Sequence, residues 1–223
     1  LKNPLTPIRG AMEVIRKARS LNRDDFDDIL QEQSEAVLEE VSRLKELSDA
    51  FARFARLPEP RFEELQFQEL VDYALSLYAS DQEGLDVQRH YPTSPLTIVA
   101  DRTQLMTAIT NLVKNAVEAV NHKGQISVRI QKENTDVDAG PVLVFSVEDS
   151  GPGVAEESVG QVFTPYFTTK GSGGTGLGLA LVHRIVMEHG GQINVSASQK
   201  LGGAAFVMRL PVAPLKTRKI KVG

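Results

Sequence analysis

The sequence predicts an α+β fold in which an N-terminal helical hairpin precedes an α/β two-layer sandwich. Apolar residues recur at helical spacing from residue 5 to about residue 57, with one polar interruption between two runs. A proline-rich break follows, and beyond it segments of helical period alternate with short strand-like segments. Helices and strands in that mixed order are typical of a sheet covered by helices.

The first helix of the hairpin is predicted from Leu5, Ile8, Met12 and Ile15, and a polar turn at residues 20–24 ends it. Two helices with one narrow apolar seam cannot enclose a core, so we expect a second copy to complete a four-helix bundle. A hairpin packed on the rest of the chain is the alternative. The seam of the second helix extends over about four heptads and comprises Phe26, Leu30, Gln33, Val37, Val41, Leu44, Ser48, Phe51 and Phe54.

A domain boundary is predicted at Pro58 and Pro60, because proline lacks the N–H donor and restricts the residue before it. The predicted division of the chain is a dimerisation hairpin at 1–57, a linker at 58–61, a catalytic region at 62–212 and a tail at 213–223.

Hydrophobic periodicity assigns the elements of the catalytic region in order. Asp101 is expected to cap the longest helix of this region, and the strand at 142–149 is nearly all apolar and therefore buried. The predicted helices lie at 67–79, about 102–121 and about 176–189, and the predicted strands near 85–91, 96–99, 125–132, 142–149, 191–198 and 203–210.

Composition excludes several classes of function. The formal net charge of −4 argues against a protein that binds nucleic acid, and the basic cluster at 216–221 is expected to be a solvated tail. The absence of cysteine excludes disulfides and thiolate chemistry. No apolar run approaches the roughly 20 residues of a membrane helix. We expect a cytoplasmic fragment, with any membrane segment of the parent upstream of Leu1.

Two asparagines on the longest predicted helix form the first candidate site. Asn111 and Asn115 are four residues apart and share one helix face. A side-chain carbonyl is a hard oxygen ligand that suits Mg²⁺ bridging substrate phosphates. Two solvated asparagines are the alternative interpretation.

A carboxylate follows the buried strand. Asp149 precedes Gly151 and Gly153, which allow the backbone to approach a flat base closely. A carboxylate accepts hydrogen bonds, so it would select the exocyclic amine of adenine over the carbonyl of guanine. As a strand terminator alone, this pattern is common.

The third and fourth candidates form a flexible segment that ends at a helix. Aromatic residues such as Phe163 can pin a lid while its tip moves, and Lys170 could meet a terminal phosphate as a point charge. Glycines before a helix N-terminus leave N–H groups that attract an anion, although a glycine-rich run alone is weak evidence. This glycine stretch runs from Gly171 to Leu179, and its candidate binding residues are Gly174, Thr175, Gly176, Leu177 and Gly178.

Together, and in this order, the four stretches resemble the Bergerat-fold ATPases, which include histidine kinases, gyrase-type topoisomerases, Hsp90 chaperones and mismatch-repair ATPases. The resemblance covers roughly residues 62–212. It implies that Asn111 and Asn115 hold Mg²⁺, that Asp149 binds adenine and that the glycine stretch at 174–178 contacts the phosphates of ATP. The nucleotide-binding set that it implies is Asn111, Lys114, Asn115, Asp149, Gly151, Gly153, Phe163, Thr168, Thr169, Lys170, Gly174, Thr175, Gly176, Leu177 and Gly178.

The start of the chain resembles the end of the H box of sensor histidine kinases, and most closely the nitrogen-regulation type. The run from Leu1 to Ile8 reads Leu-Lys-Asn-Pro-Leu-Thr-Pro-Ile, and the family's phosphorylated His and its Glu would immediately precede it. Asn3 matches the position that orients water for dephosphorylation of the partner regulator. The four histidines present, at 90, 122, 183 and 189, are expected to be structural or exposed.

The resemblance implies an ATP-dependent protein histidine kinase, homodimeric through residues 1–57. Its acceptor is a histidine just upstream of Leu1, from which the phosphoryl group passes to an aspartate of a response-regulator receiver domain. A nucleotide-gated scaffold, or a regulator phosphatase that relies on Asn3, is the first alternative. A chaperone- or topoisomerase-type ATPase is the second, and the hairpin argues against it.

Overall fold

The computed structural model describes residues 5–80, 82–134, 140–170 and 174–213, and it confirms the predicted α+β class. The chain divides into two compact units. The hairpin, up to Leu57, groups with Thr168–Leu177, and the second unit comprises Pro58–Phe167 with the chain from Gly178 onward.

The hairpin consists of α1 (Leu5–Ser20) and α2 (Phe26–Ala55), which pack against each other. In the connecting turn Arg23 donates two hydrogen bonds to Asp25, and these lower the pKa of the Asp25 carboxyl. Of the side chains described in this hairpin, only Ala11 and Ala18 are buried. Large apolar side chains therefore remain exposed along α2, namely Leu30, Leu38, Val41 and Phe51.

The second unit is built on a mixed five-stranded sheet in the order β2-β4-β5-β7-β6, where β2 and β4 are parallel and the other neighbours antiparallel. A separate antiparallel pair joins β1 to β3. Its elements are β1 (Glu63–Gln66), α3 (Phe67–Tyr78), β2 (Leu85–His90), β3 (Thr97–Ala100), α4 (Arg102–Ala119), β4 (Gly124–Asn134), β5 (Pro141–Asp149), α5 (Glu156–Val159), α6 (Gly178–Glu188), β6 (Gln192–Ala197) and β7 (Ala204–Pro211).

The core of this unit lies among the sheet and helices α3, α4 and α6. The apolar residues of α4 recur at spacings of three and four, so one face of the helix is buried. Strand β5 is buried from Leu143 to Val147, as its apolar run predicted. At its centre the Phe145 ring meets the Phe67 ring edge to face, with centroids 5.3 Å apart.

The structure adds two short elements that the sequence did not predict, and it moves one helix start. Strand β1 buries only Leu65, so its sequence lacks the alternation of apolar and polar residues that would predict a strand. Helix α5 is a single turn with no buried residue. Helix α6 begins at Gly178 rather than at 176, because Gly176 has a positive φ of 66° that no α-helix accommodates. Asp101 caps α4 as predicted by accepting a hydrogen bond from the Gln104 amide.

Among the residues that the structure describes, no helix is long and apolar enough to cross a membrane.

Replacing Phe145 by alanine should lower the free energy of unfolding by about 3–5 kcal/mol, because it opens a cavity in a fully buried site. The measurement is urea denaturation followed by circular dichroism. Tyr73→Ala is the matched control, because that aromatic ring is 52% exposed, and it should change stability by less than about 0.5 kcal/mol. Equal losses for the two variants would contradict the assignment of Phe145 to the core.

Candidate functional site

The site forms where α4 meets the start of α6 and the turn that follows β5. The side-chain oxygen of Asn111 lies 2.7 Å from the position that a Cβ on Gly178 would occupy, so any side chain there would require Asn111 to shift. One helical turn past Asn115, the backbone oxygen of Ala119 lies 2.7 Å from the corresponding position on Gly151. Helix α4 thus borders both glycine-containing turns, one through the Asn111 side chain and the other through the Ala119 backbone.

The two asparagines on this face are half-buried. Asn111 donates from its side-chain nitrogen to the backbone oxygen of Thr107, 2.7 Å away. This hydrogen bond fixes the orientation of the amide and turns its oxygen toward Gly178. Lys114, between them in sequence, pairs with Glu118 at 3.6 Å.

The carboxylate of Asp149 is buried, with 2% of the residue exposed, and backbone amides stabilise it. Its Oδ1 accepts hydrogen bonds from Gly151 N at 2.9 Å and from Ala204 N at 3.2 Å. Gly203 N donates to the backbone oxygen of Asp149 at 3.1 Å. Backbone donors of this kind offset the cost of taking a carboxylate out of water.

Sequence reasoning missed Gly203 as part of this site. A Cβ at Gly203 would lie 2.3 Å from both the backbone oxygen and Oδ1 of Asp149, so only glycine fits. The signal that could have revealed it is the Gly202–Gly203 pair directly before the last strand, which alone reads as an ordinary turn.

The aromatic residue predicted to pin the flexible segment packs on α6 and β7. The Phe163 ring centroid lies 5.5 Å from that of His183 and 6.4 Å from that of Phe206. Nearby, Tyr166 adopts a φ of 69°, which is uncommon for an aromatic residue. The start of the segment is therefore anchored in the second unit.

The remainder of the segment, Thr168–Leu177, belongs to the first compact unit. Its turn is organised by a hydroxyl: Lys170 N donates to Thr168 Oγ1 at 3.2 Å, and a Cβ on Gly174 would lie 2.3 Å from the same oxygen. Leu177 N lies 3.4 Å from Thr175 Oγ1. Thr169 and Lys170 are exposed, whereas Leu177 is buried.

Asn3 lies outside the described residues, as do the residues upstream of it. The histidines are dispersed: His90 is exposed on β2, His122 pairs with Gln82, His183 packs on Phe163, and His189 is buried just beyond α6. In the part of the chain that the structure describes, no group of three or more His, Cys, Asp or Glu residues could hold a metal ion. A magnesium site built from asparagine amides does not use such a group.

Comparison with known families identifies the ATPase class. Residues 100–214 match the family model described as histidine kinase-, DNA gyrase B- and HSP90-like ATPase, which is slightly more than half of the chain. The chain belongs to this family. Asn111, Asn115, Asp149 and the glycine stretch at 174–178 all lie within the matched residues of this histidine kinase-like ATPase.

Relatives of this histidine kinase-like ATPase are named sensor kinases. Sensor histidine kinase ZraS of Escherichia coli K12 is 31% identical over 214 residues, which is 95% of this chain and 43% of ZraS. Nitrogen regulation protein NtrY of Azorhizobium caulinodans is 29% identical over 92% of this chain and 26% of NtrY. The chain therefore spans less than half the length of either relative.

A solved structure extends the similarity to the hairpin. Histidine kinase ThkA, in complex with response regulator protein TrrA, superposes with a TM-score of 0.73 at 28% identity. The match covers 96% of this chain and 59% of that chain. The similarity to a histidine kinase therefore extends beyond the matched ATPase residues to the hairpin helices.

Gly203→Ala should lower the free energy of unfolding by more than about 2 kcal/mol, because the added Cβ collides with backbone and carboxylate oxygens of Asp149. Urea denaturation measures this loss. Gly160→Ala is the matched control, since a Cβ there meets nothing within 4 Å. A Gly203→Ala variant as stable as the control would show that Asp149 does not need this close approach.

Proposed function

We propose that this chain is the catalytic core of a sensor histidine kinase. It transfers the γ-phosphoryl group of ATP to a histidine just upstream of Leu1, and from there to an aspartate of a response regulator. The observation that carries the proposal is the buried Asp149, whose turn contacts the end of the helix that bears Asn111 and Asn115, in a chain similar along 95% of its length to a sensor histidine kinase. The similarity of the hairpin to ThkA favours this activity over a chaperone- or topoisomerase-type ATPase.

Asp149 is proposed to select adenine. The carboxylate is held by two backbone amides through Oδ1, so its position is fixed before a base arrives. Its acceptor-only character matches the exocyclic amine of adenine and opposes the carbonyl of guanine. Gly151 and Gly153 keep the surrounding turn free of side chains that would block a flat ring.

Asn111 and Asn115 are proposed to bind Mg²⁺ with their carbonyl oxygens. The residues present fit this ion. Asn111 uses its side-chain nitrogen in the hydrogen bond to the Thr107 backbone, so its side-chain oxygen points away from Thr107 and is placed to bind a cation. Neutral oxygen ligands suit a cation whose charge is balanced by substrate phosphates. When bound, Mg²⁺ would neutralise charge on the phosphates.

The glycine stretch and Lys170 are proposed to contact the phosphates. Backbone amides at the start of α6 and a lysine ammonium act by positioning and by charge, which is the main contribution of a protein to phosphoryl transfer. These roles of Thr168, Thr169, Lys170, Gly174, Thr175, Gly176, Leu177 and Gly178 rest on the family resemblance.

The hairpin is proposed to form a homodimer and to present the acceptor histidine to the cognate receiver domain. On α2, Leu38 is 66% exposed, and Val41 and Phe51 are each 49% exposed. The contact between α1 and α2 leaves these apolar side chains uncovered. A second hairpin would cover these apolar residues in a four-helix bundle. The complex of ThkA with TrrA supports a response regulator as the partner class.

Asp149→Asn should weaken ATP binding by about 10- to 100-fold, the loss expected when one hydrogen bond becomes a donor–donor contact. The asparagine oxygen can still accept from Gly151 and Ala204, so the fold should persist. Isothermal titration calorimetry with ATP and GTP measures the effect, and the preference for ATP over GTP should fall. Asp86→Asn, on the exposed part of β2, is the control. Unchanged ATP affinity in Asp149→Asn would remove the adenine assignment.

Incubation with γ-labelled ATP and Mg²⁺ tests the proposed reaction. A chain that includes about 20 native residues upstream of Leu1 should acquire acid-labile, base-stable label, because phosphohistidine has that stability, and the chain that starts at Leu1 should not. Asn115→Ala in the longer chain should abolish the label by removing a proposed Mg²⁺ ligand. No label on either chain, with ATP still bound, would favour a nucleotide-gated scaffold or a regulator phosphatase.

A further inference from the structure

The linker that follows the hairpin is hydrogen-bonded to the first turn of α4. Arg61 N donates to Asp101 Oδ2 at 2.8 Å, and Gln104 Nε2 donates to the backbone oxygen of Pro58 at 2.8 Å. Asp101 and Gln104 are 8% and 3% exposed. We call these two side chains, with the backbone that they bind at 58–61, the linker latch.

Asp101 serves two partners with its two carboxylate oxygens. Oδ1 caps α4 by accepting from Gln104 N at 2.9 Å, while Oδ2 holds the Arg61 amide. The capping bond is local, three residues along the chain, whereas the Arg61 bond spans forty residues. A cap needs only one acceptor, so the second oxygen is available for a separate task.

The latch is also joined to the end of α6. Asp101 N donates to Nε2 of the buried His189 at 3.0 Å. The other ring nitrogen, Nδ1, lies 2.8 Å from the Ile185 backbone oxygen, so it carries the proton. The Phe62 ring meets His189 edge-on at 5.3 Å. The start of α4, the end of α6 and the linker are therefore held at one point.

The middle of α4 and the first residue of α6 border the proposed nucleotide site. Asn111 on α4 faces Gly178, the first residue of α6, whereas Asp101 meets His189 just beyond its last turn. The two helices are thus antiparallel and linked at two points, one at the start of α4 and one at its middle. About ten residues of helix separate the two links, a distance of roughly 15 Å. A helix pair held at two points transmits a displacement from one point to the other, because packed helices are stiff.

We propose that Asp101 and Gln104 are positioning residues that couple the linker backbone to nucleotide binding through the α4–α6 pair. This inference rests on the proposed nucleotide site. Coupling between two sites is reciprocal: a nucleotide bound at Asn111 and Asn115 stabilises the latch, and release of the latch weakens nucleotide binding by the same factor. The linker is thereby part of the nucleotide-responsive structure and not a passive tether.

Two variants open the latch while sparing the helix. In Asp101→Asn the amide oxygen can keep the cap on Gln104 N, since asparagine caps as well as aspartate. Its NH₂ group then faces the Arg61 N–H, and two donors repel. Gln104→Met removes the donor to Pro58 with a side chain of similar length. It also removes Gln104 Oε1, a buried oxygen with no hydrogen-bond partner in the part of the chain that the structure describes, so the domain should stay folded.

The test combines amide hydrogen exchange at Arg61 with calorimetric affinity for Mg²⁺ and a non-hydrolysable ATP analogue. In the wild-type chain, nucleotide should slow Arg61 exchange. In both variants exchange should be faster, and nucleotide affinity should fall about fivefold or more, with an unchanged circular dichroism spectrum. Thr103→Ala, an exposed change in the same helical turn, is the control and should alter neither quantity.

The outcomes separate this inference from the proposed function. Faster Arg61 exchange with wild-type nucleotide affinity would show that the latch only holds the linker in place, and it would overturn the coupling alone. Failure of the wild-type chain to bind the analogue would overturn the proposed function together with the coupling. A fall in affinity in only the Asp101 variant would remove Gln104 from the latch.

Discussion

The second unit depends on the burial of one carboxylate. Asp149 ends the central strand, and an ion at that depth is stable only if donors surround it. The donors are backbone amides from Gly151, just after the strand, and from Ala204, at the start of the last strand. A Cβ at Gly151 would lie 2.9 Å from Asp149 Oδ1, and one at Gly203 would lie 2.3 Å from it, which explains the glycines at these two positions. The need to satisfy one acid thus determines two turns.

The helices are constrained from the same site. Helix α4 buries its apolar face on the sheet and keeps a polar face at Asn111 and Asn115. The end of α4 contacts the Gly151 turn, and the middle of α4 contacts Gly178. Helix α6 therefore starts at a second glycine that lies close to α4. The glycines at 151, 178 and 203 therefore have a shared physical reason, which is close approach to oxygen atoms of Asn111, Ala119 and Asp149.

Much of this arrangement could be predicted from local sequence, and the remainder depends on contacts that are distant in the chain. Periodicity located α3, α4 and the buried β5, and the order of motifs indicated the family. Strand β1 was missed because its single buried residue, Leu65, produces no alternation. Gly203 was missed because its partner is 54 positions earlier, at Asp149, and nothing local distinguishes it from a turn glycine. Asp101 was predicted as a cap, but its second bond to Arg61 cannot be read from a capping pattern.

Asp101 and Asp149 solve the same physical problem at opposite ends of the α4–α6 pair. Each is a buried carboxylate whose partners are backbone N–H groups from two separate segments: Gln104 and Arg61 for the first, Gly151 and Ala204 for the second. An ionised carboxylate carries no hydrogen-bond donor, since both of its oxygens accept and neither donates. It can therefore join two segments that each offer amides and still leave no donor of its own unsatisfied. One of these carboxylates attaches the linker at the start of α4, and the other holds the turn of the proposed adenine site, which contacts the last residue of α4 at Ala119.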